Sequence, residues 1–536
     1  MKQRYARSRT STSQLGRKRT LFVIAALLLA AAIGLAVYAT LFKGTPAERA
    51  ANRLQFDPSV TEAEQAAIRQ AVAEQAKTYD GTVNVRVETA PAAANVATVV
   101  AVFVPVASAY DARQSVTSAD LVSLQLFVPA DTDDVTREAL AAALGVPAAS
   151  LQSLAAGSEV PNGSIAFVPP SQLSPTVKLL AFEGGYYLDS FTSGALFRQA
   201  VFEGGGTAGL NGLSLNTNPS KETTFKVNMT GVTALTRVMI RKLASVPDAT
   251  YFSQKIGDFL ADADLTHVSN EVSFKEGCTY HAALFCSPPG MIDALKDSGV
   301  DVVELTGNHN NDVGSQANTQ TINLYHSLGW GTFGGGLNAV EAAKPFVAEQ
   351  KGTKVAFLGY NQADAPGSGA LATATGAGAN PFSATQAQAD ISAAKEQGSF
   401  VVVDVQYSEC FAYPGGYTEM PSCDQPISGQ TAAFRRYIDM GADVVIGSSA
   451  HQPQTYELYK DKPIYYGLGN MYFDQTQQPG TERGIILTHY FVGGKLLQTK
   501  LTPTVYDKNL QTQLMDGDDA QYLLERLQTA RAAAGL

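Results

Sequence analysis

The sequence predicts a layered α/β protein, and three observations carry that prediction. From Thr223 onward short β runs alternate with helical stretches, most of those runs end in polar residues, and 45% of the chain is hydrophobic against 16% charged. Strand-then-helix repetition is how a sheet acquires helical covers. In such folds, ligand-binding groups collect at the carboxyl ends of strands. A disordered chain would be charge-rich and poor in apolar residues, so that class is excluded. At roughly 100–200 residues per domain, the 536 residues are enough for several domains, each able to bury a core.

The elements follow in order. Residues 1–20 hold seven Lys/Arg and no acid, a segment expected in the cytoplasm. Residues 21–42 (LFVIAALLLAAAIGLAVYATLF) carry no charge. At ~1.5 Å per residue they make a helix of ~33 Å, enough for a hydrocarbon core of ~30 Å. A transmembrane signal anchor with an extracytoplasmic body is the expectation, and its rival is a cleaved signal peptide. Beyond residue 20 the chain holds 32 basic and 49 acidic residues, a net of −17. Such a body repels phosphate backbones, so no nucleic-acid partner is expected. The cysteines fall in two close pairs, Cys278 with Cys286 and Cys410 with Cys423. Local disulfides are the natural pairing outside the cytoplasm, although spacing does not choose among the possible connectivities.

Residues 43–57 are expected as a stalk and 58–200 as a small α/β domain. Within it, Glu62 to Lys77 has helical spacing. Residues 96–108 form a Val-rich run suited to a strand buried on both faces. Val135 to Leu144 is a helix candidate and Ser164 to Val168 a strand. The stretch 163–185 resembles part of a periplasmic substrate-binding domain. Residues 201–222, rich in Gly, Asn and Ser, are expected as a linker. The main domain then spans 223–505, with 506–536 a C-terminal helix or tail.

Three polar clusters close β runs in that domain: Ser269-Asn270-Glu271, Gly307 to Gly314 with Asn308 and His309, and Gly447 to His451. A carboxylate, an amide and two imidazoles at separate strand ends are donors suited to a borderline divalent metal, which would activate water. Singly, each residue has a plainer role as a cap, a turn or a packed side chain. His267, His281, His326 and His489 have no comparable setting, and no role is assigned to them.

With these clusters in view, residues 223–500 resemble the CapA family, named for capsular poly-γ-glutamate synthesis. Tyr466-Gly467-Leu468-Gly469-Asn470-Met471-Tyr472-Phe473-Asp474-Gln475 is similar to the family's Y-S-L-G-N-F-x-F-D-Q. The stretch Gly441 to Tyr466 resembles its G-A-D-V-V-I-G-x-H-P-H…Q…E segment. Asn308, His309, Asp312 and Gly314 match N-H-x-x-D-x-G, and Gly334 to Pro345 matches G-x-G-x-N…E-A…P. The resemblance implies a metallophosphatase-like α-β-β-α sandwich. Its implied metal ligands are Glu271, Asn308, His309 and His451, holding Mn, Zn or Mg. His309 and His451 are the implied catalytic groups, with Glu409 a candidate base. The implied partner is an anionic envelope polymer or its synthesis machinery.

The departures define an alternative. Val232 stands where the family has a metal-binding Asp, and Gln406 and Ser449 stand where it has His. A two-metal centre needs its ions ~3.5–4 Å apart with a bridging carboxylate, which these residues do not supply. One metal remains compatible, and so does a non-catalytic polymer-binding or scaffolding protein with a degenerate site.

Overall fold

The computed structural model describes residues 51–75, 82–408, 410, 421–476 and 480–536. The basic segment 1–20 and the apolar segment 21–42 lie outside the described residues, as does Glu409. Among the described residues no helix is long and apolar enough to cross a membrane.

The chain divides into two compact units. The first holds the described residues up to Glu88, together with Asn95–Val100 and Arg198–Asn216. Its helix Glu62–Gln75 buries Ile68 and Val72 against Val83 and Val85. The strand Leu54–Phe56 pairs in parallel with Val83–Ala92. Arg198 and Glu64, both buried, form an ion pair at 2.6 Å that anchors this helix. The expected linker contributes to this core, where Leu210 and Leu213 are buried.

The second unit contains Thr89–Ala94, Ala101–Phe197 and Thr217–Leu536. Its amino-terminal part is a small α/β layer. The strand Val99–Ser108 pairs antiparallel with Ile165–Val168 and Val177–Leu179. Leu126–Pro129 pairs in parallel with Leu151–Leu154 and Ile165–Val168. The helix Asp134–Leu144 begins where Asp133 accepts from the Thr136 amide at 2.8 Å. It stops at Gly145, whose φ of 69° suits glycine. The Val-rich run starts as a short 3₁₀ turn, Val96–Thr98, because Asn95 caps the Ala97 amide before extended backbone begins at Val99.

Two sheets form the rest. In the first, Gly331–Phe333, Val302–Glu304, Leu265–Asn270 and Phe225–Thr233 run in parallel, in that order across the sheet. Arg483–Val492, Lys495–Tyr506 and Thr512–Leu514 continue it antiparallel. In the second, Thr353–Asn361, Phe400–Gln406, Val444–Gly447 and Lys462–Leu468 are parallel. Antiparallel strands Phe346–Gln350 and Pro453–Tyr459 sit at its two edges.

Strand alternation sends successive side chains to opposite faces, and the cores follow it. Val227, Leu265, Val302, Phe357, Val402 and Ile446 share one core drawn from both sheets, so the sheets pack face to face. Val268 and Val303, on the other face of the first sheet, pack with helical residues Leu260, Leu295 and Ile322. Val401 and Val403, on the other face of the second, pack with Ile391 and Phe434. The α/β expectation is borne out. The helix Gly517–Ala534 adds Leu523 and Leu527 to the inter-sheet core. Both expected local disulfides are present, Cys278–Cys286 and Cys410–Cys423.

Candidate functional site at the carboxyl ends of the strands

Glu271 leaves the end of strand Leu265–Asn270, where its amide donates to the Thr233 carbonyl at 3.1 Å. Its side chain is buried. The loop after Val302–Glu304 runs directly over it. A Cβ at Gly307 would stand 2.5 Å from the Glu271 Cβ, so only glycine allows this approach. Glycine here therefore lets the loop that carries Asn308 and His309 cross Glu271 closely. The Asn308 Oδ1 accepts from Gln406 Nε2 at 3.2 Å, joining this loop to the end of strand Phe400–Gln406 in the second sheet.

His451 follows strand Val444–Gly447. It reaches the His309 side through a stack of rings rather than by a direct contact. The His309 and Phe285 rings lie 4.3 Å apart, and those of His451 and Phe473 5.0 Å apart. The Arg237 guanidinium lies over both phenyl rings, 4.5 Å from Phe285 and 5.0 Å from Phe473. Arg237 also pairs with the buried Asp474 carboxylate, which accepts from the Val238 amide at 2.8 Å.

The histidine tautomers follow from their partners. His309 Nδ1 lies 2.9 Å from Asp312 Oδ2, and a carboxylate oxygen only accepts, so the proton sits on Nδ1. Asp312 also accepts from the Phe285 amide at 3.0 Å. His451 Nδ1 lies 2.8 Å from Asn470 Oδ1. That amide's orientation is set by its Nδ2, which donates to Gln475 Oε1 and the Thr481 carbonyl. Each ring is thus held by its Nδ1, His309 by Asp312 and His451 by Asn470. Among the described residues only His267, Glu304 and Asp404 bring His, Cys, Asp or Glu ligand atoms within 4.8 Å of one another, and the donor set that the resemblance implies, Glu271, His309 and His451 with the Asn308 oxygen, is not gathered in that way.

Val232 lies in an apolar cluster with Ala234, Val272, Phe473 and Tyr506. Gln406 spends its amide on Asn308, and the Ser449 hydroxyl accepts from the Tyr407 amide at 3.0 Å. The positions of the family's missing ligands are thus filled by packing and local hydrogen bonds. Two arginines are also held by carboxylates, Arg237 by Asp474 and Arg435 by Glu457 in a two-point pair.

The sequence names Asp312, Asn470 and Gln406 only as motif positions, without their contacts to the histidines and Asn308, and it does not single out Phe285. The pattern His309-x-x-Asp312 was visible as a short-range pair, but the ring stack joins residues too distant for any spacing rule. A second polar group was missed altogether. His267, Glu304 and Asp404 are buried together away from these strand ends, although His267 had been assigned no role.

Residues 226–475 match the family described as bacterial capsule synthesis protein PGA_cap. The chain is similar to the capsule biosynthesis protein CapA of Bacillus anthracis, 29% identical over 188 residues, 34% of this chain and 43% of that protein. It is also similar to the PGA biosynthesis protein CapA of Bacillus subtilis (strain 168), 28% identical over 186 residues, 34% of this chain and 45% of that protein. A probable polyglutamine synthesis accessory protein of Mycobacterium tuberculosis (strain ATCC 25618 / H37Rv) is 29% identical over 196 residues, 35% of this chain and 48% of that protein. The chain spans less than half the length of each of these relatives. Residues 226–475 thus carry a domain similar to the bacterial capsule synthesis protein PGA_cap family and to the CapA proteins named above.

Proposed function

We propose that this protein is a membrane-anchored, extracytoplasmic CapA-like protein that acts in the synthesis or processing of an anionic envelope polymer of the poly-γ-glutamate type. The observation that carries the reading is the family match over 226–475, a range that includes Glu271, Asn308, His309 and His451. The apolar segment 21–42 supplies the anchor. The paired cysteines support an oxidising compartment outside the cytoplasm. The layered arrangement of two facing sheets with helices on their outer faces supports kinship to metallophosphatases.

In the hydrolytic form of this reading, Glu271, His309, His451 and the Asn308 oxygen hold one Mn, Zn or Mg ion. Such an ion, when bound, supplies Lewis-acid polarisation and an acidified water. The chain's own residues do the rest. Asp312 and Asn470 hold the two imidazoles in place through Nδ1. Phe285 and Phe473 flank the rings and limit water around them. Glu409 is the proposed base.

A second reading, a non-catalytic binding or scaffolding protein, is favoured by the apolar packing of Val232 and the engaged amide of Gln406. One experiment separates the two. The full-length protein in detergent is assayed with Mn²⁺, Zn²⁺ or Mg²⁺ on phosphoesters and γ-glutamyl peptides, beside His309→Ala. Metal-dependent hydrolysis lost at least 100-fold in the variant (on the order of a metal-ligand loss) supports the enzyme. No hydrolysis by either protein leaves only the scaffold. Retention in membranes after an alkaline wash tests the anchor, and release into the wash would refute it.

A further inference from the structure

The inter-sheet core contains a polar island. Leu265, Val302, Val402 and Leu487 all belong to that core. His267, Glu304, Asp404 and His489 each lie two residues further along the same four strands. A period of two keeps them on the same inward face. Their exposures are 1%, 1%, 0% and 0%. His267 and Glu304 come from the first sheet and Asp404 from the second, and one ligand atom from each lies within 4.8 Å of the others. His267 Nε2 is 3.2 Å from Asp404 Oδ2. Nevertheless, among the described residues neither His267 nitrogen, neither Asp404 oxygen and not Glu304 Oε2 completes a hydrogen bond.

Protein interiors rarely leave so many polar atoms unsatisfied. An unpaired buried carboxylate is far costlier than an unpaired hydroxyl. Burial pushes the Glu304 carboxyl up to about 6, with the Asp404 charge adding to it. Burial also raises Asp404, against the opposing pull of His267. Both shifts express the same deficit, two buried acids held close together with the His267 imidazole as their counter-charge among the described residues. His489, whose Nδ1 lies 2.8 Å from the Thr499 hydroxyl, does not supply another, because burial pushes its imidazole down to about 3 and keeps it neutral.

We propose that His267, Glu304 and Asp404 bind a divalent transition-metal ion that staples the two sheets together, separate from the site at the strand ends. Two carboxylates and a neutral imidazole around a doubly charged ion sum to zero net charge, which removes the deficit. Imidazole with carboxylate suits Zn²⁺, Mn²⁺ or Fe²⁺. Mg²⁺ keeps several waters, and a core walled by the Phe333 ring, 5.6 Å from that of His267, offers them little room. The gap is closed on the strand-end side by Thr306 and Ser448, whose hydroxyls lie 3.1 Å apart across the two sheets. Exchange of the ion should therefore be slow. The inference stands whether or not the strand-end site is catalytic.

Zn²⁺ alone is the probe. Full-length His309→Ala/His451→Ala protein, with the strand-end site disabled, is loaded with Zn²⁺, passed through a chelating column and analysed for bound metal and melting temperature. Retention of one Zn²⁺ per chain and a melting temperature several degrees above the chelated form are expected. Adding Asp404→Asn or, separately, His267→Gln should abolish both. X-ray absorption on the double variant should report a nitrogen and oxygen shell and guards against variants that misfold. Failure of the double variant to retain zinc, or equal retention after Asp404→Asn and His267→Gln, overturns the proposal and leaves a core of protonated carboxylates.

Discussion

Arg237 shows how much one side chain can organise. It has a φ of 48°, unusual for a residue with a Cβ, and is held there by the Asp474 pair and by two aromatic rings. The carboxylate it neutralises is buried, and removing one partner of such a pair leaves the other charge uncompensated. Arg237→Ala should therefore lower unfolding free energy by about 3 kcal/mol, read from urea denaturation, while Arg237→Lys recovers only part of it because an ammonium cannot make the two-point contact. Lys178 gives the pH prediction. Burial depresses its ammonium to about 7, with nearby Arg113 adding to the effect and Asp111 opposing it. Its Nζ donates to the Asp111 carbonyl at 3.0 Å, and Tyr110 and Tyr456 share the same cavity. The folded state thus sheds this proton at lower pH than the unfolded chain, which holds it to ~10.4. Stability should rise as pH goes from about 7 toward 10, and Lys178→Met should flatten that rise in denaturation midpoints measured across the range.

At the scale of elements, the parallel strands were legible because each is a compact run of Val, Ile or Leu ending in polar residues. The pair Arg483–Val492 and Lys495–Tyr506 went unread, although Gly493 and Gly494, at φ 55° and 77°, mark a hairpin turn of the kind two such glycines favour. Their alternation is blurred because Leu487, His489 and Phe491 all face the inter-sheet core, mixing a polar residue into the apolar set. His267 was dismissed for a related reason. Its partners Glu304 and Asp404 sit on strands far along the chain, and no local pattern reveals a shared face. The carboxyl-terminal helix was foreseen only as a helix or tail. Leu527 is 1% exposed in the inter-sheet core, and Thr455 Oγ1 donates to its carbonyl at 2.6 Å. Leu527→Ala should cost about 2–4 kcal/mol, measured by the same denaturation.

For the whole molecule, two disulfides each join cysteines close in sequence. Cys278–Cys286 closes a separation of 8 residues and Cys410–Cys423 one of 13. The Cys286 carbonyl accepts from Thr236 Oγ1 at 2.7 Å, next to Arg237, which ties the first loop to the ring stack. Reduction should lower stability by roughly 2–3 kcal/mol per bridge. It should appear as a lower melting temperature with reductant than without, and the Cys278→Ser/Cys286→Ser protein should lose less on reduction than the parent. The resemblance over 226–475 was visible in the ordered motifs from Asn308 to Gln475, whereas what surrounds Val232, Gln406 and Ser449 needed coordinates. The inner core also sets an order of events. Its residues run from Phe225 to Leu527, so a ribosome that has delivered both sheets has still not delivered their seal. Until that helix emerges, the nascent domain exposes the greasy seam between its sheets, and any factor that escorts it must shield that seam to the end.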